Sequence, residues 1–401
     1  MSRNKLMIVI SLMIAFVMLL SACQPATPTA PKEFTFGMLL VGPYNDRGWS
    51  QAHYDAGKYV EAQLPGAKMI YVDNVNTTGR PGTTPAQLAE DLVNQGAKLI
   101  VFNSDDMKDS ASEFAKNHPD ISVIMASGDQ SWKDGEAYVE LPNMVNIMGR
   151  MEYGKMIAGC TAALTTKTGK IGYLGPLIND ETRRLAASAY LGAKYCWTNY
   201  LGNDASALSF KVTWIGFWFN LPGITSDPTQ VADDFYNSGF DVVISGIDTT
   251  EAVAEAKKLT AAGNAVWAIP YDYVGSCEEG KEVCLGVPYF NWGPAYLKYI
   301  KLAVDGKFAA AFEWNPPDWK DINNLDTSAV GFQKGDALSA DAGAQVDKFV
   351  KELADGLNLW TGPLALQDGT AYLKDGEVGT DQQVWYLPQL LEGMEGQSVS
   401  E

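Results

Sequence analysis

From Phe34 onward, short near-continuous apolar runs alternate with segments of helical periodicity, and no other feature narrows the fold as far. "FTFGMLLVG", "AKMIYVDNV", "AKLIVFNS" and "ISVIMASG" read as strands. Between them lie "WSQAHYDAGKYVEAQL", with Ala52, Ala56, Tyr59 and Val60 on one face, "TPAQLAEDLVNQG", ended by Gly96, and "DSASEFAKNHP". Strands apolar throughout, separated by amphipathic helices, imply βαβ units and a parallel sheet covered on both faces. The pattern then restarts. A long helix, "RMEYGKMIAGCTAALT", leads into the strands "GKIGYLGP", "FKVTWIGFW", "FDVVISGID" and "AVWAIPYD", again separated by helical segments. The two halves share element order without a close sequence repeat. Past Pro288 come the helix "GPAYLKYIKLAVDGK", the run "AVGFQ", the helix "DAGAQVDKFVKELADG" and a turn-rich tail. The expected fold is α/β, with two doubly wound parallel-sheet lobes joined by a hinge. Residues 34–150 with about 272–310 would form lobe 1, and residues 151–271 with about 311–396 lobe 2.

The first residues have a different character. Arg3 and Lys5 precede an apolar stretch, Leu6 to Leu20, of signal-peptide length and too short to read comfortably as a membrane span. "LLSAC" then has the form of a lipobox, so residues 1–22 are expected to be a lipoprotein signal peptide and Cys23 the lipidated residue; an ordinary signal peptide with an incidental Cys is the plainer alternative. Residues 23–33, including "QPATPTAPK", read as a stiff, extended lipidated tether. The expected location is the extracytoplasmic face of the cell membrane, held by a lipid anchor. Disulfides persist there. Cys277 and Cys284 flank "EEGKEV" and are the easiest pair to close; Cys160 and Cys196 would then pair between two helices, or stay buried and free. With two His in 401 residues and no CxxC, no metal site is expected. The net charge is −18 without a basic cluster, which argues against a nucleic-acid partner and for solubility.

In open parallel sheets ligands bind beyond the carboxyl ends of the strands, and polar groups recur at those places here. Asn45, Asp46 and Trp49 follow the first strand, within "YNDRGWSQAHYDAG". Ser104, Asp105 and Asp106 follow the third, and Gly128 and Asp129 the fourth. In the second half come Trp218 and Phe219, then Asp248 and Thr249, then Asp272. An Asp after a strand caps a helix as readily as it meets a ligand, and Asp105, Asp248 and Thr249 are open to that reading. Trp49 alone would read as core. His53 reads as a helix-face residue, and Arg47 as a solvated neighbour or a latch between lobes.

These words, with "GRMEYGKMIAGC", "GKIGYLG", "VTWIGFWFN", "FDVVISGIDTTEAV", "VWAIPYD", "YFNWGPAYLKYIKLAVDGKF" and "LNLWTGPLALQDGTAYLKDGE", resemble the basic membrane lipoprotein (BMP) family over roughly residues 34–396. The resemblance implies the type I periplasmic-binding-protein fold and a substrate-binding lipoprotein of an ABC importer, acting with an ABC permease. It implies a purine nucleoside or related purine between the lobes. Trp49 and Trp218 or Phe219 would stack on the base, Asn45 or Asp46 and Asp105 would read its edge, and Asp272 would hold ribose hydroxyls. A stack contributes about 1–3 kcal/mol. The family's Lys about twenty residues past that acid has no counterpart; "PYFNWGP" places Asn291 and Trp292 there, a word suited to a free base or another flat ligand. Trp292 is equally open to a structural role at a hinge helix. The expected protein is a monomer without a cofactor. Ligand sensing, or sugar or flavin binding on the same fold, are the alternatives. An enzyme is disfavoured, since the acids are spread over separate strand ends and GxSxG, HExxH and GxxxxGK[ST] are missing.

Overall fold

The computed structural model describes residues 32–399, so the signal peptide, most of the tether and Cys23 lie outside the described residues. The first half supplies strands β1 (Phe34–Leu39), β2 (Ala67–Val72), β3 (Leu99–Phe102), β4 (Ser122–Ala126) and β5 (Met144–Gly149). Between them lie helices α1 (Trp49–Gln63), α2 (Pro85–Asn94) and α3 (Lys108–Asn117). Helix α4 (Met151–Thr165) opens the second half. Strands β6 (Lys170–Gly175), β7 (Ser209–Trp214), β8 (Val242–Ser245) and β9 (Trp267–Ile269) follow, with helices α5 (Asp180–Asn199), α6 (Pro228–Asn237) and α7 (Glu251–Ala261) between them. The chain ends through β10 (Gly286–Phe290), α8 (Gly293–Val304), β11 (Ala311–Asn315), β12 (Val330–Lys334) and α9 (Ala340–Ala354). Short strands β13 (Leu364–Ala365), β14 (Ala371–Leu373) and β15 (Met394–Glu395) and helix α10 (Asp381–Trp385) complete it.

Two parallel sheets result. One has the order β11-β5-β4-β3-β1-β2, the other β15-β7-β6-β8-β9. In both, the first strand of the half lies between the second and the third, so the same topological switch point occurs twice, beside β1 and β3 and beside β6 and β8. The continuous apolar runs have their cause here: every residue of β3, β5 and β8 is buried, as a parallel strand covered on both faces requires. Local chemistry sets the helix starts. Thr84 and Gln87 form a capping box ahead of Pro85, and Asn179 and Thr182 form another ahead of α5.

Helices α4 and α5 pack unusually close. A Cβ on Gly159 would lie 1.8 Å from the Ala189 carbonyl oxygen, so only glycine permits the approach. The Cys160–Cys196 disulfide joins these same helices, and Cys277–Cys284 closes a surface loop.

The strand β5 was not among the sequence expectations. Asn146 interrupts its apolar pattern, yet it is fully satisfied inside, donating to the Ser127 carbonyl (2.8 Å) and Gln130 (3.0 Å) and accepting from the Ser131 amide (2.6 Å). Strand β11, whose residues were expected with lobe 2, pairs with β5 in the first sheet, and β10 pairs antiparallel with β12. Among the described residues no helix is long and apolar enough to cross a membrane.

Candidate functional site

The two switch points face a common cavity. Its apolar walls are aromatic: Trp49 comes from the first half, Tyr173, Trp218 and Tyr271 from the second. Its polar surface combines Ser104, Asp105 and Ser127 of the first half with Glu181 and Asp248 of the second. Trp49 begins α1 and is locked in place. Its indole Nε1 donates to the Asn103 carbonyl, and its ring meets Phe290 and Trp292 edge-on, each at 5.3 Å. Edge contacts of this kind suit the ring quadrupole.

Among the described residues, three buried polar atoms on the wall have no hydrogen-bond partner: Ser127 Oγ, Trp218 Nε1 and Tyr271 Oη. Buried polar groups are normally paired, and leaving one unpaired costs roughly 1–3 kcal/mol. A cavity keeping three of them is suited to a ligand that accepts from the indole and exchanges hydrogen bonds with both hydroxyls.

The carboxylates show the same unfilled character. Burial pushes Glu181 up to about 7, against the pull of Arg184. Burial also raises Asp105, whose pair with Lys108 (3.1 Å) opposes the shift. Asp248 is raised well above the usual carboxylate range by burial and by Asp272 and Asp46. Behind Tyr271, Asp272 is fully buried, neither of its oxygens has a hydrogen-bond partner among the described residues, and burial holds its carboxyl high against the pull of Lys155. Its backbone has φ +70°, a sparsely populated conformation that costs of order 1–3 kcal/mol and gathers at functional sites. Lys155 of α4 is fully buried too. Its Nζ donates to the Ser245 carbonyl (2.7 Å) and lies 3.2 Å from the centre of the Tyr271 ring. Burial brings it down to about 7, with Asp272 opposing the shift.

The other sequence candidates lie elsewhere. Asn45 is exposed and does not line the cavity. Asp46 binds the start of α1, accepting from the amides of Gly48 (2.8 Å), Ser50 (3.0 Å) and Gln51 (2.9 Å). Burial brings its carboxyl up to about 6 in spite of these bonds. Phe219 packs edge-on against Phe217 outside the cavity wall. Gly128 borders an adjoining chamber. Asn291 clamps a turn by donating to the carbonyls of Leu325 (2.9 Å) and Ser328 (2.7 Å). Trp292 is buried in a stack with His53 (4.4 Å) and Phe290 (4.9 Å), and backs Trp49 without lining the cavity. His53 Nδ1 meets Tyr296 Oη at 2.6 Å. Sequence reasoning missed Ser127, Tyr173, Glu181 and Tyr271. Tyr173 and Tyr271 stand in or beside strands, where an aromatic reads as core. Glu181 lies two residues past a helix cap, a position that ordinarily faces water.

The two sheets' loops also meet directly beside the cavity. A Cβ on Gly48 would lie 1.5 Å from the Asp248 carbonyl oxygen. Around this contact Ser276 Oγ donates to the Arg47 carbonyl (2.7 Å), Gln51 Nε2 donates to Tyr273 Oη (3.1 Å), and Arg47 pairs with Glu279.

Residues 34–349 match the model of the ABC transporter substrate-binding protein PnrA-like family. The chain belongs to that family. A purine-binding protein of Brucella abortus is 26% identical over 357 residues, covering 88% of this chain and 90% of its own length. An ABC transporter nucleoside-binding protein of Lactococcus lactis is 27% identical over 199 residues, covering 47% of this chain and 51% of its own. A solved ABC solute-binding protein from Aeropyrum pernix superposes with a TM-score of 0.63 at 14% identity, covering 81% of this chain and 92% of that one. The fold is therefore that of the periplasmic solute-binding proteins, and the family is one of solute binders acting outside the cytoplasm with a permease. Among the described residues no group of three or more His, Cys, Asp and Glu could hold a metal ion.

Proposed function

We propose that this protein is a lipid-anchored binding protein that captures a purine-type ligand, base or nucleoside, between two closing lobes and presents it to an ABC permease. The lobes are residues 34–150 with about 286–310 and residues 151–285 with about 311–396. The segment up to Leu285 goes to the second, because it is hydrogen-bonded to β9 of the second sheet through Ala268, and β11 goes to the first. One observation carries the reading: the cavity joins aromatic walls from both halves to three unpaired buried polar atoms and a set of carboxylates. A flat heterocycle with ring acceptors and exocyclic donors complements that set. Rings gain from the faces of Trp49 and Trp218, ring nitrogens accept from Trp218 Nε1, and amino groups donate to Asp105, Asp248 or Glu181. Ligand touching both halves favours the closed arrangement by its differential affinity. Closure removes water and strengthens every polar contact inside. The purine-binding and nucleoside-binding relatives support the same ligand class. A thermal-shift screen of purine bases, nucleosides, flavins and sugars tests it. Purines should raise the melting temperature, and a response to sugars or flavins alone would overturn the reading.

A further inference from the structure

A separate cavity lies where the chain crosses between the two proposed lobes, and it shares no wall residue with the aromatic one. Arg150 and Glu152 come from the passage of β5 into α4, Trp314 from β11 of the first sheet, and Trp360 and Asp381 from the closing segment. The cavity measures about 70 Å³, several times the roughly 10–15 Å³ that one water needs. At its rim Arg150 pairs with Asp381 at 2.7 Å, and both side chains reach solvent. Deeper in, Glu152 is 4% exposed and Trp314 7%. Among the described residues neither Glu152 Oε2 nor Trp314 Nε1 has a hydrogen-bond partner, and both atoms are buried. Buried polar groups are normally paired, so two orphans on one wall mark a space built for an occupant.

The orphans specify that occupant. One is an acceptor and the other a donor, so the complement supplies one donor and one acceptor. Its charge follows from the neighbours. Glu152 is balanced by Arg184, whose Nε donates to Oε1 (2.7 Å), and Asp381 by Arg150. An anion would meet the open oxygen of Glu152. A cation would meet the guanidinium groups of Arg150 and Arg184, which lie 4.0 Å and 5.6 Å from the Trp314 ring centre. A small neutral molecule carrying both an N–H and a carbonyl, as a primary amide does, meets neither obstacle. Arg184 also links this cavity to the ligand site: it holds Glu152 on one side and pulls on Glu181 of the aromatic wall on the other. The mouth loops touch in this same arrangement, so a molecule fitted to the cavity favours it over a parted one.

We propose that this hinge-side cavity is an effector site for a small neutral molecule of the primary-amide class, and that its occupation tightens purine binding. The effector role rests on the purine reading above; the site itself does not. Acetamide is the probe, and acetone (acceptor only), acetate (anion) and acetamidinium (cation) are controls of the same shape. Titrations of isotope-labelled protein without purine follow the indole N–H resonance of Trp314, identified by its loss in Trp314→Phe. Acetamide should move it saturably and bind at least tenfold tighter than each control. Should Trp314→Phe fail to fold, a wild-type crystal soaked in acetamide reads the same contacts, with the amide between Glu152 Oε2 and Trp314 Nε1. No saturable shift, an equal response to all four molecules, or water alone in the soaked cavity overturns the site. Calorimetry with a purine should show at least twofold tighter binding in saturating acetamide, and a smaller change overturns the effector role. If no purine binds, the purine reading fails and the effector role falls with it, while the acetamide titration still decides the site.

Discussion

Gly48→Ala is the sharpest test of closure. The added Cβ would stand 1.5 Å from the Asp248 carbonyl oxygen. Ordinary contact needs roughly 3.4 Å or more between carbon and its neighbours, so the loops must part by about 2 Å. The obstacle is backbone, and no rotamer relieves it. A separation of that size lengthens Ser276–Arg47 from 2.7 Å and Gln51–Tyr273 from 3.1 Å past hydrogen-bond range. It also opens the Arg47–Glu279 pair. Two hydrogen bonds at about 0.5–1.5 kcal/mol each, with up to about 1 kcal/mol for a solvent-exposed ion pair, give a loss of about 1–4 kcal/mol. Because they form only when the loops meet, this loss falls on the closed state and reduces apparent affinity about 5- to 1000-fold. The fold itself should tolerate the change, because Gly48 precedes α1 and is a cap position where Ala and Gly differ by at most about 1–2 kcal/mol. Calorimetry with a purine that binds the wild type, together with small-angle scattering, reads the outcome: a weaker ligand and a larger radius of gyration in its presence. An affinity within twofold of wild type would refute the idea that this contact belongs to the liganded state.

Trp49→Ala should weaken purine binding by about 1–3 kcal/mol, one stack, and Trp218→Phe, which keeps a ring and removes the indole donor, by about 0.5–1.5 kcal/mol; equal losses in the two variants would count against the donor role. Asp46 and Glu181 have folded values of about 6 and 7, above their unfolded ones, so the native state holds their protons longer. Their contribution to stability is complete below about pH 4 and is lost as pH rises to about 7, which thermal melts of the ligand-free protein at pH 4, 5.5 and 7 will show as a falling trend once other groups are matched by variants. Asp272→Asn should raise stability at neutral pH, since a buried carboxyl that keeps its proton in the fold ionises on unfolding, and should flatten that pH trend; denaturant titration showing a loss of stability would contradict a protonated Asp272 in the folded protein. Replacing Cys160 and Cys196 together by Ala opens a link across 36 residues and should cost about 2–4 kcal/mol, with ligand affinity of the folded protein unchanged.

Much of the fold was legible before any coordinates. Strand and helix order emerged from the length and continuity of the apolar runs, because a parallel strand buried on two faces has no place for polar alternation. β5 escaped because a buried, fully hydrogen-bonded Asn is indistinguishable in sequence from a loop Asn. The site was legible in position but only partly in membership. Trp49, Ser104, Asp105, Trp218 and Asp248 lie on the cavity wall as strand-end reasoning suggested. Asn45 and Asp46, from the same loop, do not: Asn45 is exposed, and the Asp46 carboxylate, two residues before the Gly48 cap, is drawn to the free amides of the helix start.

What the sequence determined by itself was the pair of βαβ halves and the strand ends where chemistry had to gather, since both follow from short-range periodicity. Which side chains face the ligand was decided only by tertiary structure. Tyr173, Tyr271 and Glu181 became wall residues because two sheets meet at their switch points, and the approach is set by backbone contacts such as Gly48 on Asp248. Periodicity along one chain segment carries no information about a surface made by two segments that are hundreds of residues apart.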